Sequence, residues 1–359
     1  IARRQRQMCI RDRCMAFLQI NNVRITGFAA GVPATIIRND DSVVYSEDYD
    51  ASAFVEMTGV HERRVDNTSC TSDLCYAASE KLIADLNWDK KEVGAIIFVS
   101  QTADYRFPAT SCILQDRLGL NKECYAADVN LGCSGWVYGL SIAASLMQTG
   151  SITQVLLMAG DAKRVTSGDD PLFGFAGTVT ALEYSSEAKP IDFHFGTDGS
   201  GFDAIIMPDG GARNGLTEES FNKETIDGKE YTRLQCRMKG MDVFSFGISI
   251  APKSIKKLAD FFGFDYQTFD YFVFHQANLK MNAMIQKKLK LDNAKVPISM
   301  PTFGNTSSAS IPLTIVTQLK NKIENQPTKL LCCGFGVGLS WGTVAFETDN
   351  IVISDIVEI

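Results

Sequence analysis

Cys133 stands in a setting typical of a cysteine nucleophile. It follows Gly132 at the end of an apolar, strand-like segment (124–129) and precedes a run of small residues. This pattern predicts a thiol in the first turn of a helix over 134–149, where backbone N–H groups and the helix dipole lower the pKa of a thiol. The alternative is a small buried hydrophobe, since most free cysteines are buried. Its partners must decide between the two.

Among the three histidines, His275 is the strongest candidate for a role in chemistry. It ends an apolar run and precedes Gln276-Ala277-Asn278, and α/β proteins place their sites at the carboxyl ends of parallel strands. His61 lies in a charged loop and is expected to be solvated. His194 alternates with two phenylalanines in a strand-like stretch, so we expect it to be a structural histidine.

Two further segments are candidates for holding a negatively charged oxygen. Asn305 begins the segment Asn-Thr-Ser-Ser-Ala-Ser, where asparagine is well suited to cap a helix, a role that is compatible with catalysis. Residues 334–342 form a glycine-rich turn between two apolar runs. No helix follows this turn, which disfavours a phosphate-binding loop. Backbone N–H groups presented to an oxyanion fit the pattern better.

Apolar strand-like runs alternate with helical segments along the chain, which predicts an α/β fold with a largely parallel sheet. Continuous apolar runs of strand length are expected for strands covered on both faces. The predicted strands are 23–28, 95–100, 124–129, 155–159, 272–275 and 330–333, and the predicted helices are 71–86, 108–118, 134–149 and one that ends at 291.

The second half of the chain repeats the order of elements in the first half. Segment 296–319 echoes segment 129–147, so that Cys133 and Asn305 fall at equivalent places. Two such halves stacked face to face would bring both helix N-termini to one central site. The repeat therefore predicts a duplicated, five-layered α/β/α/β/α architecture.

The repeat also sets the expected domain boundaries. We expect an N-terminal half at residues 15–190 that carries the cysteine, and a C-terminal half at residues 191–359 that carries the histidine and the asparagine. A polar stretch at roughly 208–235 is interpreted as a surface excursion. Residues 1–14 hold five arginines and no periodic pattern, and we expect them to be extraneous, with the native chain starting at Met15.

The composition disfavours several classes of protein. A net charge of −7 and a sequence pI near 5.2 argue against nucleic acid as the main partner. No apolar run approaches the roughly 20 residues that a membrane span needs. The ten cysteines lack the spacing of a zinc site or a secreted scaffold, which predicts reduced thiols in a cytoplasmic protein. Adjacent Cys332 and Cys333 should point to opposite faces of a strand.

Together these residues resemble the β-ketoacyl-acyl-carrier-protein synthase III family of the thiolase superfamily, over the whole chain from Met15. The resemblance rests on Cys133 after Asp-Val, His275 in His-Gln-Ala-Asn, Asn305 in Gly-Asn-Thr-Ser, and the Gly336 loop before Ser-Trp-Gly. Each fragment alone is moderately specific, and the four in this order are strongly so.

The resemblance implies a decarboxylative Claisen condensation through an acyl-cysteine. Cys133 would attack an acyl thioester of coenzyme A or of a carrier protein, with the backbone N–H groups of Cys133 and Val337 as the oxyanion hole. His275 and Asn305 would hold a malonyl-carrier-protein extender and stabilise its enolate, which attacks the acyl-cysteine to give a β-ketoacyl thioester. This chemistry calls for neither a metal nor a redox cofactor.

The resemblance also implies residues that surround this triad. Phe107, Phe175 and Gly336 are expected in the substrate pocket, with Phe107 reaching it across a homodimer interface. A core phenylalanine at the start of a helix is the alternative for Phe107. Four lysines are expected to meet an acidic carrier protein near the entrance, with a solvated helix face as the alternative: Lys253, Lys256, Lys257 and Lys280.

The chain departs from the family pattern in three places. Ala53 and Met57 stand where the family has a tryptophan and an arginine for coenzyme A, just before its Thr-Gly-Ile-x-Glu-Arg motif, here at residues 58–63. This loss favours a carrier protein as the acyl donor. Phe175 replaces the aspartate of the family's Phe-Gly-Asp-Gly motif, and Val337 replaces a glycine of the oxyanion loop.

These departures indicate a divergent member of the family with a specialised acyl substrate, whose chain length the sequence does not fix. Two alternative functions stay open: acyl transfer to an oxygen or nitrogen nucleophile without condensation, and a non-catalytic partner subunit of a synthase heterodimer. The intact Cys, His and Asn set argues against the second. A cysteine hydrolase is disfavoured, because such enzymes do not orient their base with a His-Gln-Ala-Asn segment.

Overall fold

Two β-sheets and the helices that cover them make up the protein. The computed structural model describes residues 15–40, 50–162, 170–226 and 229–359; residues 1–14, which we expect to be extraneous, lie outside the described residues. The strands are β1 (Phe17–Ile20), β2 (Val23–Val32), β3 (Ile36–Arg38), β4 (Glu62–Arg64), β5 (Ala95–Val99), β6 (Tyr125–Val129), β7 (Gln154–Asp161), β8 (Ala176–Tyr184), β9 (Ile191–Thr197), β10 (Ile205–Ile206), β11 (Glu224–Ile226), β12 (Lys229–Tyr231), β13 (Arg237–Met238), β14 (Tyr271–Phe274), β15 (Thr328–Gly336), β16 (Ser340–Thr348), β17 (Val352–Ile353) and β18 (Val357–Glu358).

The helices lie between the strands, much as the alternating pattern predicts. In chain order the α-helices of the described residues are α1 (Ala51–Thr58), α2 (Thr71–Asp85), α3 (Thr110–Arg117), α4 (Gly135–Met147), α5 (Gly240–Phe262), α6 (Leu279–Leu289), α7 (Met300–Phe303) and α8 (Ser310–Ile323). Short 3₁₀ turns occur at Gly199–Ala204, Glu218–Phe221, Tyr266–Thr268, Asn293–Lys295 and Ser307–Ala309.

The first sheet has the strand order β17-β2-β8-β7-β5-β6, and β18 also pairs with β2. Its β7, β5 and β6 strands are parallel, whereas β8 is antiparallel to both of its neighbours, β7 and β2. Both faces of β5 are buried: Ala95, Ile97 and Val99 face the centre of the molecule, and Ile96 and Phe98 face an outer cluster. This arrangement explains the continuous apolar run.

The second sheet has the strand order β1-β9-β16-β15-β14. Only β14 and β15 are parallel, and the other pairs are antiparallel. The two ends of the chain therefore exchange sheets, because β1 joins the second sheet while β17 and β18 join the first. The expected boundary at residue 190 falls between β8 and β9, and this division into halves remains a proposal.

Five layers result, which confirms the predicted fold class. The expectation of a largely parallel sheet is wrong, because half of the strand pairs in the two main sheets are antiparallel. Helices α4 and α8 lie between the sheets in one central core. Helices α2 and α3 cover the outer face of the first sheet, and α5 and α6 cover the outer face of the second. The vicinal cysteines of β15 obey the alternation of a strand: Cys332 faces the central core and Cys333 the outer one.

Two glycines of α4 allow this helix to pack closely on β5. A Cβ atom at Gly135, the first residue of α4, would lie 2.6 Å from Val99 Cγ1 and 3.6 Å from the Cβ of Ser308, just before α8. One turn later, a Cβ at Gly139 would lie 2.6 Å from Val99 Cγ2. Glycine thus permits the close packing of α4 on β5, and the start of α4 lies beside Ser308 in the turn before α8.

A hydrogen bond links helices α5 and α6 at the turn that precedes a proline of α5. Pro252 lies inside α5 and has no N–H for the carbonyl of Ile248, four residues earlier. The Lys288 ammonium of α6 donates to that carbonyl at 2.9 Å. The carbonyl that the proline leaves without a helical partner therefore binds a lysine of α6. Helix α6 begins four residues after His275.

The polar stretch at 208–235 is a surface excursion that carries the antiparallel pair β11 and β12. Its centre is an ion pair, in which Arg233 donates to both carboxylate oxygens of Asp209 at 2.9 and 3.0 Å. Elsewhere in the described chain, no helix combines the length and the apolar character that a membrane crossing requires. The described residues also contain no cluster of three His, Cys, Asp or Glu side chains able to hold a metal ion.

Candidate active site

Cys133 lies at the entrance to the central helix α4. The loop after β6 closes in a tight turn, in which the N–H of Gly135 donates to the carbonyl of Gly132 at 2.6 Å. Ser134 is the N-cap of α4, which begins at Gly135. Cys133 therefore directly precedes the cap, and the prediction that it lies in the first helical turn is wrong. The thiol is partly accessible, as a nucleophile must be.

The end of β15 lies directly over this cysteine. A Cβ atom at Gly336 would stand 2.8 Å from the Sγ atom of Cys133, and one at Gly334 would stand 2.8 Å from its carbonyl oxygen. Side chains are therefore excluded at both positions by contact with Cys133. The predicted pocket residue Gly336 does lie against the thiol.

Val337 continues the same strand into the loop. Its Cγ1 atom would lie 2.9 Å from a Cβ at Gly132, so the valine packs beside the residue that precedes Cys133. Ser340 Oγ donates to the Val337 carbonyl at 2.8 Å and lies 2.7 Å from Ser134 Oγ. These two serines, whose contact no local sequence pattern indicates, tie the predicted oxyanion loop to the cap of α4.

His275 is held on three sides immediately after β14. Its backbone N–H donates to the carbonyl of Cys333 at 2.9 Å, and its ring meets Phe335 edge to face at 5.8 Å. Its Nδ1 atom lies 2.7 Å from Ser310 Oγ in α8, and the residue is 2% exposed. With Ser310 as the donor to Nδ1, the Nε2 atom carries the proton and can donate to a substrate oxygen.

Asn305 is fixed by its backbone and by its side chain. Its N–H donates to the carbonyl of Leu172 at 2.9 Å, and its carbonyl accepts from Gly174 at 3.2 Å. Its Oδ1 atom accepts the N–H of Ser307 at 2.9 Å, and the residue is 6% exposed. Because the oxygen of the amide is occupied by this turn, the Nδ2 donor is the group left to face a substrate.

The segment around Phe175 forms a wall behind Asn305. A Cβ at Gly174 would stand 2.0 Å from the carbonyl oxygen of Phe303, which explains the glycine between two phenylalanines. Phe175 itself is buried in a small cluster with Val65, Leu74 and Ala162. The structure thus gives this expected pocket residue a packing role beside the asparagine loop.

Phe107 lies elsewhere, on the outer surface. Its side chain is 85% exposed, so within this chain it touches neither the thiol nor the histidine, and its alternative interpretation as a core phenylalanine is wrong. The four expected docking lysines are also exposed. Lys280 lies in the first turn of α6, close in sequence to His275, whereas Lys257 lies near His194 and contributes to lowering the pKa of that histidine.

The remaining candidates behave as structural groups. His194 is buried, its Nδ1 atom lies 2.8 Å from Ser254 Oγ, and burial, assisted by Lys257, lowers its pKa to about 4. Burial raises the pKa of the Cys333 thiol to about 12 and raises that of Cys332 well above its ordinary value. Protonated thiols of this kind are poor nucleophiles. His61 is exposed, as predicted.

The layers define a thiolase-like fold, and comparisons with known proteins identify the family. Residues 127–199 match the family model of 3-oxoacyl-[acyl-carrier-protein] synthase III, and residues 261–348 match the model of its C-terminal region. This chain belongs to the β-ketoacyl-acyl-carrier-protein synthase III family.

Individual relatives cover almost the whole chain. A β-ketoacyl-[acyl-carrier-protein] synthase III of Staphylococcus epidermidis is 33% identical over 334 residues, which is 91% of this chain and 99% of the relative. A synthase III of Clostridium acetobutylicum is 30% identical over 336 residues, 91% and 99% of the two chains. The crystal structure of a 3-oxoacyl-(acyl-carrier protein) synthase from Burkholderia xenovorans is 38% identical, with a TM-score of 0.89 and coverage of 97% and 100%.

Proposed function

We propose that this protein transfers an acyl group from a thioester to Cys133 and condenses it with a malonyl group carried by acyl carrier protein. Carbon dioxide and a β-ketoacyl thioester are the products. Membership of the family supports a condensing enzyme. The observation that carries the assignment of residues is the position of β15: its Gly336 abuts the thiol of Cys133, and its Cys333 carbonyl holds His275.

In the first half-reaction, the Sγ atom of Cys133 attacks the carbonyl carbon of the acyl thioester. The tetrahedral intermediate places a negative charge on the former carbonyl oxygen, which accepts from the backbone N–H groups of Cys133 and Val337. The intermediate then expels the thiol of the donor, and the acyl group stays on the cysteine. The bonds from Ser340 to Val337 and to Ser134 support a rigid loop for this task.

In the second half-reaction, the thioester carbonyl of the malonyl group accepts from His275 Nε2 and Asn305 Nδ2. Loss of carbon dioxide leaves the bonding electron pair on the thioester as an enolate, whose oxygen the two donors stabilise. The enolate carbon attacks the acyl carbon, and the Cys133 thiolate departs. The bonds from Ser310 and Ser307 support these roles, because they leave the opposite atoms of the two side chains for the substrate.

Delivery of the substrates extends this proposal to the surface. We assign Lys280 as a contact for an acidic carrier protein, because it is exposed at the start of the helix that follows His275. Lys253, Lys256 and Lys257 form an exposed row on α5 and extend the same positive surface in our proposal. The exposed Phe107 side chain supports a homodimer in which it reaches the partner's pocket.

The test is a product assay. The protein is incubated with malonyl-carrier protein and a panel of acyl-coenzyme A and acyl-carrier-protein donors, and carrier-bound products are identified by mass spectrometry. We expect a β-ketoacyl product two carbons longer than the donor, which Cys133→Ala does not form. Folded protein that consumes a donor without carbon dioxide release would contradict condensation, and product from Cys133→Ala would contradict the nucleophile.

A further inference from the structure

Asp161, the last residue of β7, joins two loops that belong to opposite halves of the chain. It is 1% exposed. Its Oδ1 atom accepts the backbone N–H of Gln101 at 2.8 Å, and its Oδ2 atom accepts from Ser308, through Oγ at 3.0 Å and through the backbone N–H at 3.4 Å. One carboxylate therefore bridges the loop after β5 and the turn before α8.

Among the described residues, the hydrogen-bond donors to this carboxylate carry no charge. Oδ1 also lies 3.3 Å from Ser100 Oγ and 3.4 Å from Thr102 Oγ1. Among the ion pairs of the described residues, none includes Asp161. A buried carboxylate that accepts from hydroxyl and backbone donors depends on keeping each of them.

Each arm of the bridge ends beside a residue of the candidate active site. On the Oδ1 side, the Gln101 side chain covers Gly132, the neighbour of Cys133: its Oε1 atom would lie 2.4 Å from a Cβ at that glycine. The carboxylate thus fixes the loop that packs against the approach to the nucleophile.

On the Oδ2 side, Ser308 lies between the two residues that orient the donors. Ser307, one residue earlier, donates its N–H to Asn305 Oδ1. Ser310, two residues later, bonds to Nδ1 of His275. Ser307 has a φ of +52°, a conformation that costs a serine energy and that surrounding bonds must maintain.

We propose that Asp161 is a positioning residue that fixes the His275 and Asn305 donors relative to Cys133. This role rests on the proposed function, in which a bond forms between a group held by the first half of the chain and one held by the second. A misplacement of about 1 Å at a reacting centre can reduce a rate about a hundredfold. Acylation needs Cys133 and its oxyanion loop, so it depends less on the bridge than condensation does.

The substitution Asp161→Asn tests this role. Whichever way the new amide turns, one arm meets an NH₂ group instead of an oxygen and loses its acceptor. We expect acylation of Cys133, followed by intact-protein mass spectrometry, to stay within about threefold of the wild-type rate. We expect condensation to fall about a hundredfold, in kcat more than in KM for the malonyl-carrier protein.

Two further variants make the result specific. Ser308→Ala keeps the carboxylate and removes one donor, and we expect a loss in condensation of about tenfold; the double variant should be no worse than Asp161→Asn, because both act on one bond. The control is Asp128→Asn. Asp128 is the last residue but one of β6, which β5 separates from β7. It is exposed and accepts the N–H groups of Thr110 and Ser111 at 2.7 and 2.8 Å, so it supports a helix without reaching the donors.

The outcomes separate cleanly. Equal losses of acylation and condensation in Asp161→Asn, or the same imbalance in Asp128→Asn, would overturn the positioning role. Asp161→Asn could fail to fold, which thermal unfolding and gel filtration would show. In that case Ser308→Ala is the test, and equal losses of acylation and condensation in this variant would overturn the role. A wild-type protein that forms no acyl adduct and no β-ketoacyl product would instead refute the proposed function.

Discussion

The two central helices, α4 and α8, begin in different ways, although they occupy equivalent places in the layer between the two sheets. Helix α4 follows a single tight turn, and Cys133 precedes its cap directly. Helix α8 follows a 3₁₀ turn at Ser307–Ala309. The Oδ1 atom of Asn305, which precedes this turn, accepts the N–H of Ser307. The side chain of Cys133 is therefore partly accessible. The side chain of Asn305 is hydrogen-bonded through Oδ1, which leaves its Nδ2 atom for a substrate.

The difference corresponds to the two tasks of the proposed reaction. A nucleophile needs access on one side, and the glycine at position 336 keeps a side chain away from the thiol of Cys133. Donors to an enolate need a fixed direction, which Ser310 gives to His275 and Ser307 gives to Asn305. In the proposed reaction, the reactive group comes from the start of α4, whereas the donors come from the turn before α8 and from the end of β14. The following variants test that division.

The largest effect is expected from Cys133→Ala. Without the thiol no acyl adduct forms, so both half-reactions should fall by at least about a thousandfold. Intact-protein mass spectrometry after incubation with an acyl donor measures the first half-reaction, and product formation measures the second. An adduct of the same mass on the variant would show that another nucleophile carries the acyl group.

His275→Ala should affect one half-reaction only. Loss of one donor to the enolate should reduce condensation by about 10² to 10³-fold, while the rate of Cys133 acylation stays within a few-fold of the wild-type rate. Rapid-quench mass spectrometry gives both rates from one sample. If acylation falls as far as condensation, His275 acts on the thiol rather than on the extender, and the proposed division is wrong.

A smaller effect is expected from crowding the nucleophile. In Gly336→Ala the new Cβ would stand 2.8 Å from the Sγ atom of Cys133, and accommodating it at about 1–3 kcal/mol should slow acylation about tenfold. Gly240→Ala is the matched control, because nothing lies within 4 Å of its new Cβ. Equal acylation rates of the two variants, measured by adduct mass, would contradict the close approach of β15.

The smallest effect concerns the other buried histidine. His194 is paired with a serine as His275 is, yet its pKa is lowered to about 4 from 6.5 in the unfolded chain. As pH falls, the unfolded state takes up a proton first, so this stability is present above pH 6.5 and is lost as pH falls towards 4. Burial of the neutral ring causes the shift.

The corresponding variant is His194→Gln. Between pH 7 and pH 5, urea unfolding should show that the wild-type protein loses about 1 kcal/mol more unfolding free energy than the variant. Activity at pH 7 provides a second reading, since His194 lies outside the proposed site. Equal losses in the two proteins would show that His194 is not held neutral in the folded state.

The local pattern of the sequence predicts much of this architecture. Apolar runs of strand length identified β5, β7, β14 and β15, and the echo between the halves placed Cys133 and Asn305 at two helix starts that do lie together. These features depend on periodicity and on residues that are close in the chain. The exchange of β1, β17 and β18 between the sheets was not predicted, because short edge strands carry little pattern of their own.

The supporting residues of the site could not be found in the same way. Each of these residues acts through a hydrogen bond to a partner far away in the chain. Ser310 bonds to His275 (35 residues away), Ser340 to Ser134 (206) and Asp161 to Ser308 (147). In the sequence, a serine near a helix start would be interpreted as an ordinary helix cap. Only a three-dimensional arrangement shows which hydroxyl meets which ring. Phe107 illustrates the converse, since no local pattern shows that this aromatic side chain at the start of a helical segment is exposed.

The most direct test of the divided site is a chase experiment with Asn305→Ala. The variant and the wild-type protein are first acylated on Cys133 by an accepted donor, freed of excess donor, and mixed with malonyl-carrier protein. Intact mass then follows the adduct with time. We predict that the wild-type protein loses its acyl group within a turnover, whereas the variant is acylated equally fast but retains the adduct about a hundredfold longer. Loss of the adduct at the wild-type rate, with β-ketoacyl product formed, would contradict the assignment of Asn305 as a donor to the extender.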